Sequence, residues 1–365
     1  MRASAMSPAV SVVIPTWNGL DLLRDNLPSV LAAVRFYSQK EGVPVEVIVV
    51  DDGSRDGTAE AAAREFPQVR LVGKSRNEGF AAACNAGFQH CRFPLIALLN
   101  NDVRVEKEYL VHQVEHFQDA RVFAVTSKVF EWEPPIFATG GRFGRFRRGF
   151  WSVYLNYDTL GPDQDEWIRG HKLLSAYAIG GFATYDRAKL EELGGFSELL
   201  SPFHWEDVDL SYRGWKAGWE IHYEPRSRAH HRISATIEAH YDKRMVETVS
   251  WRNRLLFHWV NLHSPGFLVR HLAMVGVFLL TRFLALDFGF YVAFAQALTR
   301  LPQVYRLRIR ERRRAQRSDV EVARRLSRFY QSAPIKIYSD RRQVQKEHPE
   351  SQALDCPARI SHEGL

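Results

Sequence analysis

Three apolar runs in this chain each stop abruptly at a cluster of Asn, Asp and small residues: VVIPTWNG at 12–19, VIVVDDGSRDGT at 47–58 and LLNNDV at 98–103. Short apolar runs of this kind read as buried strands, Val10–Ile14, Val45–Val50 and Pro94–Leu99. Between them the spacing turns helical, over Leu20–Val34, Gly57–Phe66 and Gly79–His90, with a further strand expected at Arg70–Gly73. Strand–helix alternation implies right-handed crossovers and an α/β fold on a parallel sheet. It also puts Thr16–Asn18, Asp51–Ser54 and Asn100–Asp102 beyond the carboxyl ends of the strands, where such sheets collect ligands.

The alternation stops between Glu131 and Leu174, where Gly, Arg and aromatics concentrate (GGRFGRFRRGFW, 140–151) as in loops and hairpins. Order returns with Ile179–Tyr185, LGGF at 193–196 and WEDVDLSYR at 205–213, and Glu220–Tyr223 reads as the last strand, with His230 and His231 beyond it. A hydrophobic content of 45% and a charged content of 25% over 365 residues place the chain among globular proteins with a sizeable core. Its three cysteines, Cys84, Cys91 and Cys356, lack metal-ligand spacing, argue against a disulfide framework and fit a reducing compartment. The first strand begins by about Val10, leaving no room for a signal peptide, so the cytoplasm is expected.

In this order and spacing, PTWNG, DDGS, NND and WEDVDL resemble the motifs of the family-2 glycosyltransferases, over roughly residues 10–235. The resemblance implies the GT-A nucleotide-diphospho-sugar transferase fold, a Rossmann-like, mostly parallel sheet flanked by helices. It further implies an inverting, metal-dependent transfer from a UDP- or dTDP-linked sugar to a saccharide or lipid-linked acceptor. The Asn-Asn-Asp variant with a downstream His is similar to rhamnosyltransferases and galactofuranosyltransferases of bacterial cell-envelope glycans. The expected organisation is a catalytic domain over 1–250, a helical, membrane-associating region over 251–331 and a poorly ordered tail over 332–365.

A carboxylate at a strand end before Gly53 and Ser54 suits a turn, yet it can equally accept the imide N–H of a uracil or thymine. With Pro15, Thr16 and Asn18 on the neighbouring strand end, Asp51 and Asp52 read as nucleotide-binding, the two not separable. Lys74, Arg76 and Asn77 could reach the diphosphate or ribose, and the small residues Ala81–Ala83 with Asn85 would let the next helix approach closely. Asn100-Asn101-Asp102 stands where the family has its DXD motif. Mg2+ or Mn2+ needs oxygen ligands that bridge to substrate phosphates, so Asp102 is the expected metal ligand, beside Asn101 on the nucleotide sugar. By the family layout His231, in better register than His230, completes the coordination. The family places its base at the aspartate of the Glu-Asp pair, Asp207, with Trp205 and Glu206 facing the acceptor. Asp209 and Arg213 read as structural, Trp215 and Trp219 as core, and Gly180, Gly181, Gly194 and Gly195 as close-approach loops.

Residues 267–299 are the most hydrophobic stretch, cut by Arg270, Arg282 and Asp287 into pieces too short for a span of ~20 apolar residues. Two helices lying in a membrane interface are expected, with the Arg cluster at 306–317 against anionic headgroups; a hairpin packed on protein remains the alternative. Nucleic-acid binding is not expected, because no nucleic-acid module accompanies the basic run in a chain of net charge +7. A nucleotidyltransferase would need a Gly-rich loop carrying Lys or Arg after the first strand, which PTWNG does not offer. A degenerate nucleotide-sugar-binding scaffold would not need both Asp102 and Asp207. A Rossmann dehydrogenase is excluded by the missing GxGxxG.

Overall fold

The computed structural model describes residues 7–132, 136–159, 171–231 and 241–338. Strand β1 (Val10–Thr16) is buried on both faces, as its unbroken apolar run requires, and so forms the middle of the sheet. It is followed by α1 (Leu20–Glu41), β2 (Val45–Asp51), α2 (Thr58–Glu65), β3 (Arg70–Gly73), α3 (Phe80–Gln89) and β4 (Leu95–Leu99). β1 pairs in parallel with both β2 and β4, and β2 with β3, so this half of the sheet is wholly parallel. Helix α1 runs seven residues beyond the expected Val34 and stops at Gly42, in the left-handed conformation that favours glycine.

The second half mixes directions. It comprises β5 (Val103–Val105), α4 (Tyr109–Val114), β6 (Val122–Glu131), β7 (Phe137–Thr139), β8 (Gly141–Arg147), β9 (Phe150–Thr159), β10 (Leu173–Leu174), β11 (Phe182–Asp186), α5 (Arg187–Leu193), α6 (Glu206–Lys216) and β12 (Glu220–His231). The order is β10-β12-β6-β11-β4-β1-β2-β3, with β5 on β12 and β7 on β6. β11 lies antiparallel to β4 and β6, so the sheet is mixed around a parallel centre, as the expected mostly parallel GT-A sheet allows. The Gly/Arg/aromatic segment folds as the hairpin β8–β9, turned at Arg148 and Gly149, both at positive φ as two-residue hairpin turns require.

Four helices follow: α7 (Lys243–Asn261), α8 (Pro265–Leu284), α9 (Phe288–Leu298) and α10 (Leu301–Arg314), then α11 (Asp319–Ser332) and β13 (Ile335–Tyr338). α7 crosses the expected boundary at 250, and Leu255, Leu256, Phe257 and Val260 join the same core as Trp205 and Val208. Asp319, fully buried, accepts hydrogen bonds from Tyr212, Lys216 and the backbone N–H groups of His263 and Ser264, tying α11 to α6. Of the expected tail, residues 335–338 pair with β9, while 339–365 lie outside the described residues.

α8 and α9 pack on α7 and the core by one face, burying Val275, Phe290, Ala293 and Ala297, and leave the other face uncovered. α8 is one uninterrupted helix, long and apolar enough by length and composition to cross a membrane. The arginines read as breaks interrupt its apolarity without interrupting the helix, and Arg282 is ion-paired with Asp287. Leu272, Leu280, Phe283, Leu284, Leu286 and Phe288 all lie more than half exposed along this hairpin.

Candidate active site

The ends of β1, β2 and β4 open onto one cavity of about 320 Å³. Asn101 fastens two of them together: its Nδ2 donates to Thr16 Oγ1 at 2.9 Å, and its carbonyl accepts from Asn26 Nδ2 at 2.9 Å. The contact needs Gly19, where a Cβ would stand 2.3 Å from the Asn101 amide. On β2, Asp51 turns inward and accepts from the Ser54 N–H and hydroxyl, closing its own turn. Asp52 faces the cavity, accepts from Gly79 N–H at 2.8 Å and Glu78 N–H at 3.1 Å, and pairs with Lys74 at 2.9 Å.

A second group gathers around Asp102. β12 is longer than expected, carrying His230 and His231 inside the strand, and it pairs with β5 so that His231 stands opposite Val103. That register brings His231 Nε2 to 3.2 Å from Asp102 Oδ2. His230 points the other way, stacked on Phe130 and 3.7 Å from Glu106. Asp102 Oδ1 and Asn100 Oδ1 are both buried without a hydrogen-bond partner. Buried oxygens left unpaired are uncommon, and two of them on one cavity wall with the His231 imidazole suit a hard divalent cation. Among the described residues no third His, Cys, Asp or Glu joins Asp102 and His231. Phosphate oxygens of a ligand would therefore have to complete the coordination, and on that condition the residues fit Mg2+ or Mn2+.

Glu206 and Asp207 open α6 on the same cavity. The chain enters through His204 and Trp205, both at positive φ, a conformation that persists only where surroundings impose it. Asn253 of α7 imposes it here, its amide donating to the carbonyls of Leu200, Phe203 and His204. Burial and then the neighbouring Asp207 hold the Glu206 carboxyl well above the usual range, and its Oε2 has no partner. Burial raises Asp207 as well, but the N–H groups of Gly180 and Val208 donate to its two oxygens at 3.3 and 2.7 Å and oppose the rise. An adjacent buried pair keeps one proton past the pH at which a lone carboxyl loses it. The N–H donors favour the charge on Asp207 and the proton on Glu206.

The sequence profile of Glycosyl transferase family 2 matches residues 11–194, half of the chain. The chain belongs to this family. Among curated relatives, the succinoglycan biosynthesis protein ExoO of Rhizobium meliloti (strain 1021) is 39% identical over 109 residues, 30% of this chain and 29% of the relative. The undecaprenyl-phosphate 4-deoxy-4-formamido-L-arabinose transferase of Pseudomonas fluorescens (strain SBW25) is 36% identical over 110 residues, 29% of this chain and 31% of that one. The matched stretch thus spans less than a third of either relative's length. Among solved structures, GalNAc-T7 with UDP, GalNAc and Mn2+ superposes with a TM-score of 0.55 at 20% identity, over 71% of this chain and 48% of that one. S. aureus TarS 1-349 in complex with UDP-GlcNAc does so with a TM-score of 0.50 at 17% identity, over 88% and 91%. These superpositions establish the GT-A fold.

Within this family-2 chain, Pro15, Thr16, Asp52, Asn77, Asn101, Asp102, Glu206, Asp207 and His231 line one cavity. Four expected residues do not reach its wall. Asp51 closes the turn described above, and Asn18 accepts from the Arg55 N–H with its side chain. Arg76 is exposed and paired with Glu78, while Trp205 is buried against Phe257 and Tyr154. Asn100 was not anticipated as a candidate ligand, although it opens the Asn-Asn-Asp triplet that stands where the family has its DXD motif. Gly181 belongs with it: at φ +94° its absent Cβ leaves room for the Asn100 amide, which a side chain would meet at 2.4 Å. Asn253 was missed too, since nothing distinguishes one polar residue in a helix until the loop it holds is seen.

Proposed function

We propose that the protein is an inverting, metal-dependent glycosyltransferase that uses a UDP- or dTDP-sugar donor and a saccharide or lipid-linked acceptor in cell-envelope glycan synthesis. The observation that carries this reading is the meeting, on one cavity, of Asp102 beside His231, the orphaned oxygens of Asn100 and Asp102, and the Glu206–Asp207 carboxyl pair. Asp102, His231 and Asn100 would hold Mg2+ or Mn2+, which when bound supplies positive charge to the donor diphosphate. Asp52 and Asn77, with Pro15 and Thr16, would seat the nucleoside.

Asp207 would take the proton of the acceptor hydroxyl as its oxygen forms a bond to the anomeric carbon. The bond from that carbon to the diphosphate oxygen breaks with inversion, and the nucleoside diphosphate leaves. Protonated Glu206 leaves the charge on Asp207 and can donate a hydrogen bond to the acceptor. The named activity of the arabinose transferase, on an undecaprenyl-phosphate, and that of ExoO, in succinoglycan biosynthesis, support an envelope role. The exposed apolar hairpin α8–α9 would rest on the inner face of the membrane, with the α10 arginines against anionic headgroups.

The test is a panel of nucleotide sugars screened for thermal stabilisation with and without Mn2+. A UDP- or dTDP-sugar at 100 times its dissociation constant is expected to add about 2.7 kcal/mol, and only with the cation present. Stabilisation unchanged by chelator would contradict the reading.

A further inference from the structure

A second cavity of about 270 Å³ adjoins the first, and His204 lines both. One face of α7 forms its floor through Val246, Glu247, Ser250, Trp251 and Arg254, and Tyr154 of β9 stands across from them. Arg254 is the unusual member. Its guanidinium carbon lies 4.3 Å from the Phe150 ring centre, 4.9 Å from Trp251 and 5.4 Å from Tyr154. Its Nε is buried with no acceptor, and burial holds its pKa below the usual arginine range. Among the described residues no carboxylate is paired with it. Arg213 shows what a buried arginine ordinarily has: Asp209 at 2.8 Å and the carbonyls of Leu193 and Gly195. Ring faces offset only part of the desolvation of a cation, so a guanidinium left this way beside an open cavity is matched to an anion from outside. A phosphate suits its planar fork of donors best.

We propose that Arg254 binds a phosphate group of the acceptor, and that the acceptor is lipid-linked; this rests on the glycosyl-transfer reading above. The position fits in both directions. Through His204 the Arg254 cavity leads to Asp207, where the acceptor hydroxyl would lose its proton. On its other side Trp251 packs on Phe278 of α8 at 5.8 Å and Phe290 of α9 at 5.4 Å, at the root of the exposed apolar hairpin. A sugar phosphate on a hydrocarbon chain would span these three places in that order.

The probes are farnesyl diphosphate, farnesol and inorganic pyrophosphate, titrated calorimetrically into the full chain in EDTA so that the cation-dependent donor site is silent. Wild type is expected to bind farnesyl diphosphate more tightly than either of the others. Arg254→Met should weaken that binding ~10-fold or more. Ser250→Asp, one turn away on α7, should do the same by supplying an internal carboxylate while leaving the guanidinium and its rings in place. UDP binding with Mn2+ should be unchanged in both variants, which separates failure here from failure of the donor reading. Wild-type affinity for farnesyl diphosphate in both variants would overturn the proposal. Equal affinity of wild type for pyrophosphate and farnesyl diphosphate would overturn the lipid-linked source.

Discussion

The crevice at the strand ends and the α8–α9 hairpin lie in one chain but solve opposite problems. Around the crevice most polar groups have a partner, and the unpartnered oxygens of Asn100, Asp102 and Glu206 belong to residues that line the cavity. Along the hairpin the unmet demand is apolar, with Leu280, Leu284 and Leu286 each at least 70% exposed. Monomeric proteins rarely leave such a surface uncovered. Unsatisfied polar atoms inside a folded core and unsatisfied apolar surface outside it both mark places where something else binds, one a small charged ligand, the other an extended apolar phase. The two regions should therefore fail independently.

The largest effect that would test this separation is on chemistry. Asp207→Asn is expected to lower kcat by about 10²–10⁴-fold, the usual worth of a general base, with liposome binding unchanged. Steady-state transfer assays check it, and turnover like that of wild type would remove Asp207 from the role. Next in size is Asp102→Ala, which should weaken Mn2+-dependent nucleotide binding about 100-fold or more, since even residues behind a metal ligand carry 10–100-fold. His231→Ala should weaken it less, and His230→Ala hardly at all, because His230 stacks on Phe130 away from Asp102.

The converse test strikes the hairpin. Phe283→Glu is expected to lower affinity for anionic liposomes about 30-fold in a co-sedimentation assay, from the loss of roughly 2 kcal/mol of apolar burial, while donor hydrolysis stays at the wild-type rate. If the wild-type protein ignores anionic liposomes at low salt and is a stable dimer, the hairpin covers a second subunit and the comparison needs redrawing.

The smallest effect is on stability. Burial raises the folded-state pKa of Glu206 above its unfolded value, so on raising pH the unfolded chain releases this proton first. Its contribution to stability thus falls as pH rises from about 4.5 through the folded-state pKa, by up to ~1.4 kcal/mol per pH unit for one group. Denaturant melts of Glu206→Gln across this range should show a shallower decline than wild type, with the variant relatively more stable at alkaline pH. Parallel profiles would mean that the carboxyl is not held protonated.

Much of the crevice was legible because buried parallel strands are written as continuous apolar runs, and β1, β2 and β4 end sharply at residues that cannot continue them. The full length of β12 was not: Glu220–Tyr223 reads as a strand, but its continuation to His231 does not. That continuation carries Glu224 and Ser227, polar residues that look like a loop until His116, Arg226 and the Tyr109 carbonyl are seen to pair with them. This hidden half of the strand is what brings His231 to Asp102. The single helix α8 was obscured by reading Arg270 and Arg282 as breaks, although Arg282 lies over the Trp251 ring and pairs with Asp287 across the hairpin turn. Which asparagine of the NND triplet faces the cavity with a free oxygen was equally out of reach, since it turns on Thr16 and Asn26, residues far away in sequence.

Binding and chemistry are assigned here to different carboxylates of one cavity, and a calorimetric titration of UDP with Mn2+ into three proteins tests that division. If a thymine nucleotide is the one stabilised in the panel, dTDP takes the place of UDP. Wild type and Asp207→Asn are expected to bind with the same affinity, and Asp102→Ala to lose both the binding and its dependence on the cation. Undiminished, cation-dependent binding in Asp102→Ala, or its loss in Asp207→Asn, would contradict the assignment.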